Sequence, residues 1–482
     1  MNRSSTHSVS RRAGRLIGAV LAAVALASCG GGDGVIGSGG TGSPLGMAVG
    51  TVNGFGSVIV DGVRYDDRAS RVVVEVAPGV DAIGEVRLGD RVSVEYEVAG
   101  VAKTVRLEAA AVGRVDSVDA PDRFSMLGQS VSINVSGTAG PITQIGDGYA
   151  QASDLRSGDF VEVHGLLVRQ GGVVQIQATR IDKLAVAPAY LRVSGIVGAL
   201  QTGAATSFTI GGLTVDGSSA PVLPSGTALA NGQAVTVMAL PSGLTPPAPA
   251  GRRLLAAQIR VRELRDEGLE DTFSGAVSHL DSAAKSFQLG GQRVDYRSAT
   301  LAPAGWTPAD GQYVLVSGTV ATDGSLRASS VSQRDTGSED EAELHGNITG
   351  YDAATGRFSV RDVLVDASAA TLEGCPVSGL VNGLYVEIEG SLGSNGVTAR
   401  KLKCGDEPVD AAVEREGIAA SVDTASRSFA LATGPGASVP VRWTEATYFG
   451  ELTPATLSGQ QVKVEGSFVD GVLVARKIKR DD

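Results

Sequence analysis

NGLYVEIEG, residues Asn382 to Gly390, recurs in related forms along the whole chain. The near copies and the looser copies are SGDFVEVHG from Ser157, DGQYVLVSG from Asp310, SGQQVKVEG from Ser458, LGDRVSVEY from Leu88 and NGQAVTVMA from Asn231. The second residue of every copy is glycine, and successive copies are 69 to 79 residues apart. Self-similarity at a nearly fixed period indicates tandem repeats of one structural unit.

Apolar and polar residues alternate within the stretch, as in a strand that buries one face. Val386 and Ile388 are therefore expected to face a core, while Glu387 and Glu389 face water. The Asn-Gly pair at its start predicts a tight turn into the strand. The features that recur are glycine and the Val/Ile period, which serve the backbone and the core.

Further landmarks surround each copy. A strand that begins with glycine precedes each copy. In five of the six units, a phenylalanine follows this glycine by 10 to 15 residues: Phe124, Phe208, Phe287, Phe358 and Phe429. An alternating strand such as GVTARKLKC, from Gly396, closes each unit. One phenylalanine per unit predicts a core residue, because a stacking surface for ligands needs an exposed aromatic row.

We therefore predict an all-β protein of six tandem, small, five-stranded Greek-key barrels of the OB type. Numbered repeat 1 to repeat 6, they are predicted to span residues 47–111, 112–184, 190–264, 272–334, 343–404 and 413–482. The joining segments are AVAPAY from Ala185 and the acidic runs RDEGLED from Arg265, DTGSEDEAE from Asp335 and GDEPVD from Gly405. Solvated spacers explain the acidic runs better than calcium sites, since none has the D-x-D-x-D-G order. These linkers predict six separately folded units.

The N-terminus has the order of an export signal. Arg11, Arg12 and Arg15 precede an apolar run that is too short to span a bilayer. The run ends in Leu-Ala-Ser-Cys29, which resembles the lipobox of bacterial lipoproteins; the alternative is an ordinary signal peptide followed by a chance cysteine. The resemblance implies a signal peptide at residues 1–28, a lipidated Cys29 and a Gly-rich tether at 29–46. Glycine after the cysteine implies the outer membrane, facing the periplasm or the cell surface.

The repeat pattern resembles the bacterial domain-of-unknown-function family numbered 5666. The resemblance rests on G-x-V at the start of a unit, V-x-V-x-G in the middle and A-x-x-I at the end, and it covers about residues 47 to 482. Repeat 3 fits least well, because a Pro-rich insertion begins at Pro241. The resemblance implies an exported or envelope-attached protein with OB-like units and no catalytic residues to transfer.

Composition and site chemistry argue against several functions. The chain of 482 residues has 41 basic and 52 acidic residues, a formal charge of -11, and only 4% aromatic residues, all unfavourable for binding nucleic acid. His164, His279 and His345 fall in three different units without metal-ligand spacing. We predict no enzyme activity, no metal and no cofactor.

Two functions remain. The first is a cell-envelope scaffold or spacer that is anchored to the membrane by its lipid and contacts an unknown envelope protein or polymer. The second is a lipoprotein that binds a glycan, a peptide or an envelope polymer on one barrel face. Trp443, Tyr448 and Phe449 form the candidate ligand patch, with a local mini-core as the alternative.

Cys375 and Cys404 both belong to repeat 5, and no other repeat contains cysteine. In an exported protein, an even pair within one small domain predicts a disulfide. The alternatives are a buried pair of free thiols and a redox or metal site.

Overall fold

The computed structural model describes residues 46–481, apart from 68–69, 98–99, 136–139, 171, 204, 246–250, 263–269, 335–341, 377–378, 395, 406–412, 435–436 and 470–471. Strands make up nearly all of the regular structure in these residues. Short 3₁₀ helices lie at Ala152–Asp154, Pro241–Gly243 and Pro454–Thr456. No helix in the described part of the chain has the length and apolar content needed to cross a bilayer.

The strands follow the predicted repeats in order. Repeat 1 contains β1 (Gly46–Phe55), β2 (Val58–Val60), β3 (Val63–Tyr65), β4 (Arg71–Ala77), β5 (Val80–Ile83), β6 (Arg91–Tyr96) and β7 (Ala102–Leu107). Repeat 2 contains β8 (Ala109–Ala120), β9 (Arg123–Met126), β10 (Gln129–Ile133), β11 (Gln144–Ile145), β12 (Phe160–Gln170) and β13 (Val173–Lys183). Repeat 3 contains β14 (Leu191–Ile196), β15 (Gly198–Gln201), β16 (Ser207–Ile210), β17 (Leu213–Asp216), β18 (Val222–Leu223), β19 (Ala234–Ala239), β20 (Arg252–Leu255) and β21 (Gln258–Val261).

The second half of the chain is built in the same way. Repeat 4 contains β22 (Asp271–Asp281), β23 (Ser286–Leu289), β24 (Gln292–Asp295), β25 (Thr300–Ala302), β26 (Tyr313–Val320) and β27 (Leu326–Gln333). Repeat 5 contains β28 (Ala342–Asp352), β29 (Arg357–Val360), β30 (Val363–Asp366), β31 (Thr371–Glu373), β32 (Tyr385–Gly393) and β33 (Gly396–Cys404). Repeat 6 contains β34 (Val413–Asp423), β35 (Ser428–Gly434), β36 (Ala437–Tyr448), β37 (Gln461–Val469) and β38 (Val472–Arg480).

Repeat 6 closes into a five-stranded barrel in the order β34-β35-β36-β38-β37. All pairs in this ring are antiparallel except β36 and β38, which run parallel. Repeats 2, 4 and 5 have the same order of pairing within larger sheets, for example β28-β29-β30-β33-β32-β28. This ring, with its parallel pair between the third and the last main strand, is an OB-like architecture.

A short additional strand departs from the five-strand prediction in repeats 2, 4 and 5. β11, β25 and β31 each add two or three residues that pair in parallel with the last strand of the repeat. Strands of this length are too short to show alternation, so the sequence pattern gives no sign of them. In repeat 6 the corresponding residues extend β36.

The repeated nine-residue stretch has the predicted orientation. Val386 and Ile388 are buried, Glu389 is exposed and Glu387 is partly exposed. Gly383 has a φ of +85°, which a residue with a Cβ rarely adopts, so the turn before the strand requires glycine. The phenylalanine prediction is also confirmed, because all five are buried in barrel cores: Phe124, Phe208, Phe287, Phe358 and Phe429.

The closing glycine of the stretch lies at a β-bulge. In repeat 5 the register against β33 shifts between Glu389 and Gly390. A Cβ on Gly390 would lie 2.1 Å from the carbonyl oxygen of Thr398 in that strand. The same approach to the last strand occurs at Gly165, Gly318 and Gly466. The recurring glycine is therefore a requirement of backbone packing.

Gly390→Ala is expected to lower the free energy of unfolding by about 1–3 kcal/mol, because the methyl group would push two paired backbones apart. Gly405→Ala is the matched control, since a Cβ there meets no described atom within 4 Å. Its effect is expected to stay within about 0.5 kcal/mol. Urea unfolding of the full-length protein measures both, and equal midpoints for the two variants would contradict the bulge argument.

Repeats 1 to 5 are interlocked. β1 pairs in parallel with β22 of repeat 4 and with β28 of repeat 5, while β8 of repeat 2 pairs with β14 of repeat 3. One hydrophobic core combines side chains of repeats 1 and 5, and another combines repeats 2 and 3. The prediction of separately folded units is therefore wrong for these five repeats. An outward polar side chain has the same sequence pattern whether it meets water or a neighbouring barrel.

Candidate functional site

The two cysteines of repeat 5 lie close together at the end of its last strand. Cys375 follows β31, Cys404 ends β33, and their Sγ atoms form a disulfide. Cys404 is buried in the core shared by repeats 1 and 5, and Cys375 packs against that core. The predicted lipidation site, Cys29, lies outside the described residues.

The aromatic residues of repeat 6 do not form a surface patch. Trp443 is only 4% exposed and belongs to the core of the barrel. Its ring lies 6.1 Å from that of Phe429 and meets the half-buried Phe449 edge-on at 6.0 Å. Tyr448 is half-buried at the end of β36. The side chain of Trp443 points inward in the strand, so the group is a mini-core and the hypothesis of a ligand patch loses its basis.

The three histidines are not brought together as metal ligands. His164 is buried beside repeat 1, His345 lies beside Gly56 of repeat 1, and His279 is exposed. The described residues contain no group of three or more His, Cys, Asp or Glu side chains arranged to hold a metal ion.

A buried polar cluster joins repeat 1 to repeat 4. Asp61 accepts hydrogen bonds from the backbone N–H of Thr51 at 2.8 Å and from the hydroxyl of Tyr313 at 2.7 Å, and also from the hydroxyl of Ser274. Arg91 donates to the hydroxyl and to the carbonyl of Ser274, both at 3.1 Å. Burial and the neighbouring Asp61 raise the pKa of Tyr313, so its hydroxyl is a donor at neutral pH. We call Asp61, Arg91, Ser274 and Tyr313 the polar interlock.

A second buried cluster joins repeat 1 to repeat 2. The backbone N–H of Arg91 donates to Nδ1 of His164 at 3.2 Å, so the proton of the neutral ring lies on Nε2. That nitrogen lies 3.0 Å from Glu162 and 3.4 Å from Asp90. Burial raises the pKa of Asp90, although His164 and Arg180 oppose the shift. Arg180 also donates to the carbonyl of Leu88 at 3.1 Å, which ties the two barrels together.

Repeat 3 contacts repeat 1 through Glu75. This carboxylate accepts from Gln258 at 2.8 Å and from Arg260 at 3.1 Å. Burial opposes ionisation, but the hydrogen bonds from Gln258 and from the backbone of Gly79 lower the pKa of Glu75 overall. Repeat 1 is thus the hub that contacts repeats 2, 3, 4 and 5.

A cleft of about 150 Å³ lies where repeats 1, 3 and 4 meet, and we call it the junction cleft. Its repeat 1 wall is the outer face of β1, β6 and β7, and it carries Met47, Val49, Ser93, Glu95, Arg106 and Glu108. Repeat 3 contributes the end of β21 and the residue after it, Arg262, while repeat 4 contributes Phe273. A second cavity of about 480 Å³ adjoins it, and Arg262 lines both.

The arginines of the junction cleft differ in their partners. Arg106 makes a two-pronged pair with Asp81 at 2.7 and 2.8 Å, and Arg260 pairs with Glu75. The guanidinium of Arg262 makes no hydrogen bond or ion pair with the residues that the structure describes. Burial lowers the pKa of Arg262, and the nearby Glu108 opposes the shift only in part. Within the described part of the chain, this cation therefore has no anion paired with it.

Among the residues of the buried clusters and the junction cleft, only His164 was singled out from the sequence, and it was considered there as a metal ligand. The aligned copies of the nine-residue stretch contained one signal of these contacts. At its fourth position the copy in repeat 1 has the charged residue Arg91, whereas the other five copies have Phe160, Ala234, Tyr313, Tyr385 and Gln461. Arg91 and Tyr313 thus hold equivalent positions in two repeats, and they meet at the interface. Arg262 carried no such signal, because it lies beyond the repeated stretch.

The family comparison decides what the repeats are. The model of the family described as Domain of unknown function (DUF5666) matches residues 112–182, 274–332, 345–403 and 416–479, more than half of the chain. The chain belongs to this family. The four DUF5666 segments correspond to repeats 2, 4, 5 and 6, so four of the six predicted repeats are shown, and repeats 1 and 3 lie outside the matches.

The other comparisons add little to the DUF5666 assignment. No curated protein matches the chain. Among solved structures, Drosophila Unr CSD456 aligns with 44% of this chain and 96% of its own length, at 12% sequence identity and a TM-score of 0.12. A likeness at that TM-score carries no argument about this DUF5666 protein.

Proposed function

We propose that the protein is a non-catalytic scaffold of the bacterial cell envelope, in which DUF5666 repeats form one preassembled body on a lipid-anchored tether. The observation that carries the proposal is the hub position of repeat 1. Strand pairing and buried charged groups connect it to repeats 4 and 5 and to repeats 2 and 3. Such contacts fix several barrels relative to one another, which suits a body that presents a rigid surface.

We further propose that repeats 1 and 3 are diverged copies of the same unit. In repeat 1, β1 pairs with β2 and β6, and a bridge between Asp66 and Val101 joins the third strand to β7. In repeat 3, the first strand of the ring is broken into β14 and β15, and the last strand is broken into β20 and β21. Repeat 1 contains an inserted hairpin, β4-β5, and repeat 3 contains the Pro-rich insertion. These insertions explain why a family pattern would miss the two repeats.

A lipid-anchored tether would hold this body in the envelope. A lipid on Cys29 would hold the protein at a membrane without spanning it, and the basic, apolar and Leu-Ala-Ser-Cys order of the N-terminus supports this. The glycine after Cys29 favours the outer membrane, facing the periplasm or the cell surface. The partners would be an envelope protein or polymer, because the negative net charge disfavours nucleic acid.

Cys29→Ala is expected to abolish membrane attachment of the full-length protein, because the thiol is the only acceptor for the lipid. Detergent phase partition measures this: the wild type should enter the detergent phase and the variant the aqueous phase. Cys375→Ala serves as the cysteine control and should partition like the wild type. Aqueous partition of all three proteins would refute the anchor.

The scaffold role is tested by using the full-length protein to capture partners from solubilised envelope fractions. A scaffold predicts recovery of a specific envelope protein or polymer that Arg91→Met, which loosens the hub, no longer recovers in full. Equal recovery by both proteins would show that the interlocked arrangement does not matter for function.

A further inference from the structure

The junction cleft goes beyond a scaffold role, because it combines an apolar wall with an uncompensated cation. Met47, Val49 and Phe273 supply apolar surface from two different barrels. The parallel pairing of β1 with β22 places Val49 opposite Phe273, so this wall is fixed by strand register. Sites for small ligands typically combine such a wall with a few polar groups that set orientation.

The polar group available in the junction cleft is Arg262. The other two arginines of the lining already pair with carboxylates: Arg106 with Asp81 of the same repeat, and Arg260 with Glu75 of repeat 1. Burial disfavours the charge of Arg262, Arg91 and Arg192 add positive potential around it, and Glu108 acts in the opposite direction. A partly buried guanidinium without a partner is costly, and a bound anion would remove that cost.

The charges of the opposite wall restrict the anion. Glu95 and Glu108 line the same cleft, and Glu108 is held in place by the hydroxyl of Ser93 at 3.2 Å. These carboxylates repel a doubly charged or polymeric anion more strongly than a single negative charge paired with Arg262. A guanidinium matches the planar, two-oxygen geometry of a carboxylate.

The size of the junction cleft restricts the body of the ligand. About 150 Å³ is enough for a benzene-sized group. We propose that the cleft binds a small organic monocarboxylate, with the carboxylate paired to Arg262 and the apolar part against Met47, Val49 and Phe273.

The test uses benzoate as the probe and the full-length protein in isothermal titration calorimetry. Benzamide has the same shape without the charge, and phenyl phosphate has the same ring with a larger charge. We expect benzoate to bind at least about tenfold more tightly than either analogue, because a charge-assisted pair is lost in one and repulsion is added in the other. Equal binding of benzamide, or tighter binding of phenyl phosphate, would overturn the proposal.

Arg262→Gln is expected to weaken benzoate binding at least about tenfold. Arg123→Gln is the matched control, since Arg123 is an exposed arginine on repeat 2, and it should bind benzoate like the wild type. The ligand-free Arg262→Gln protein should unfold at the same or a higher temperature than the wild type, because an uncompensated charge has been removed. The site would be refuted if Arg262→Gln bound benzoate with unchanged affinity, or if the wild-type protein gave no heat of binding at millimolar benzoate. If the variant fails to fold, the preference of the wild type for benzoate over its two analogues still tests the proposal.

Discussion

Arg91→Met is expected to lower the free energy of unfolding of the interlocked repeats by about 2–4 kcal/mol. Arg91 is buried at the interface and donates to the hydroxyl of Thr51 and to the hydroxyl and carbonyl of Ser274. Methionine retains much of the apolar stem but has no donor, so these buried acceptors would lose their hydrogen bonds from Arg91. Each buried acceptor that is left unsatisfied costs about 1–3 kcal/mol.

Urea unfolding followed by tryptophan fluorescence measures this loss, because the chain has only two tryptophans. Trp306 packs against the core of repeat 4, and Trp443 lies in the core of repeat 6. The transition reported by Trp306 should move to lower urea, while the transition of Trp443 should stay in place.

Arg400→Met is the matched control for Arg91→Met. Arg400 pairs with Glu389 at 3.2 Å on an exposed surface, where such pairs contribute about 0–1 kcal/mol. Similar losses in the two variants would mean that the polar interlock is no more important than a surface ion pair.

Removing the disulfide between Cys375 and Cys404 is expected to cost about 3–4 kcal/mol, which follows from closing a loop of 29 residues in the unfolded chain. Repeat 5 should lose this stability first. Because its core is shared with repeat 1, part of the loss should spread to repeat 1.

Two measurements separate the cross-link from side-chain packing. Reduction of the wild type breaks only the bond, whereas the double variant Cys375→Ala and Cys404→Ala also trims a buried side chain. The double variant should therefore be slightly less stable than the reduced wild type. Equal unfolding midpoints for oxidised and reduced wild type, or two freely alkylated thiols in protein from an oxidising compartment, would contradict the prediction.

The sequence predicted what depends on local pattern. Alternation placed Val386 and Ile388 inside, and the recurrence of glycine indicated a backbone requirement, which at Gly390 is a β-bulge; both follow from the geometry of one strand and its neighbour. The third observation of this kind is the core phenylalanine, which five of the predicted units contain. These requirements recur along the chain, so several copies gave the same signal.

Contacts between barrels were not predictable in the same way. Met47, Arg91 and Arg262 occupy outward or peripheral positions, and a single sequence does not show whether such a position meets water or another repeat. Trp443 shows a related ambiguity, since a cluster of aromatic residues next to a loop fits either a surface patch or a mini-core, and in the structure Trp443 lies in the core. The junction cleft depends on three repeats meeting, and no local pattern encodes that meeting.

Repeat 1 is synthesised before the strands of repeats 4 and 5 with which it pairs. β1 leaves the ribosome before its partners: the backbone of Met47 waits for Asp271, 224 residues later, and Gly54 waits for the strand that contains Glu343. Until then β1 presents an unpaired backbone edge, the kind of surface on which chains aggregate. Contacts this distant in sequence also form slowly, because the chain must search a large volume. The first repeat to be made is thus completed only when strands of repeats 4 and 5 are available, and a protective factor acting during synthesis would have most to gain by covering β1.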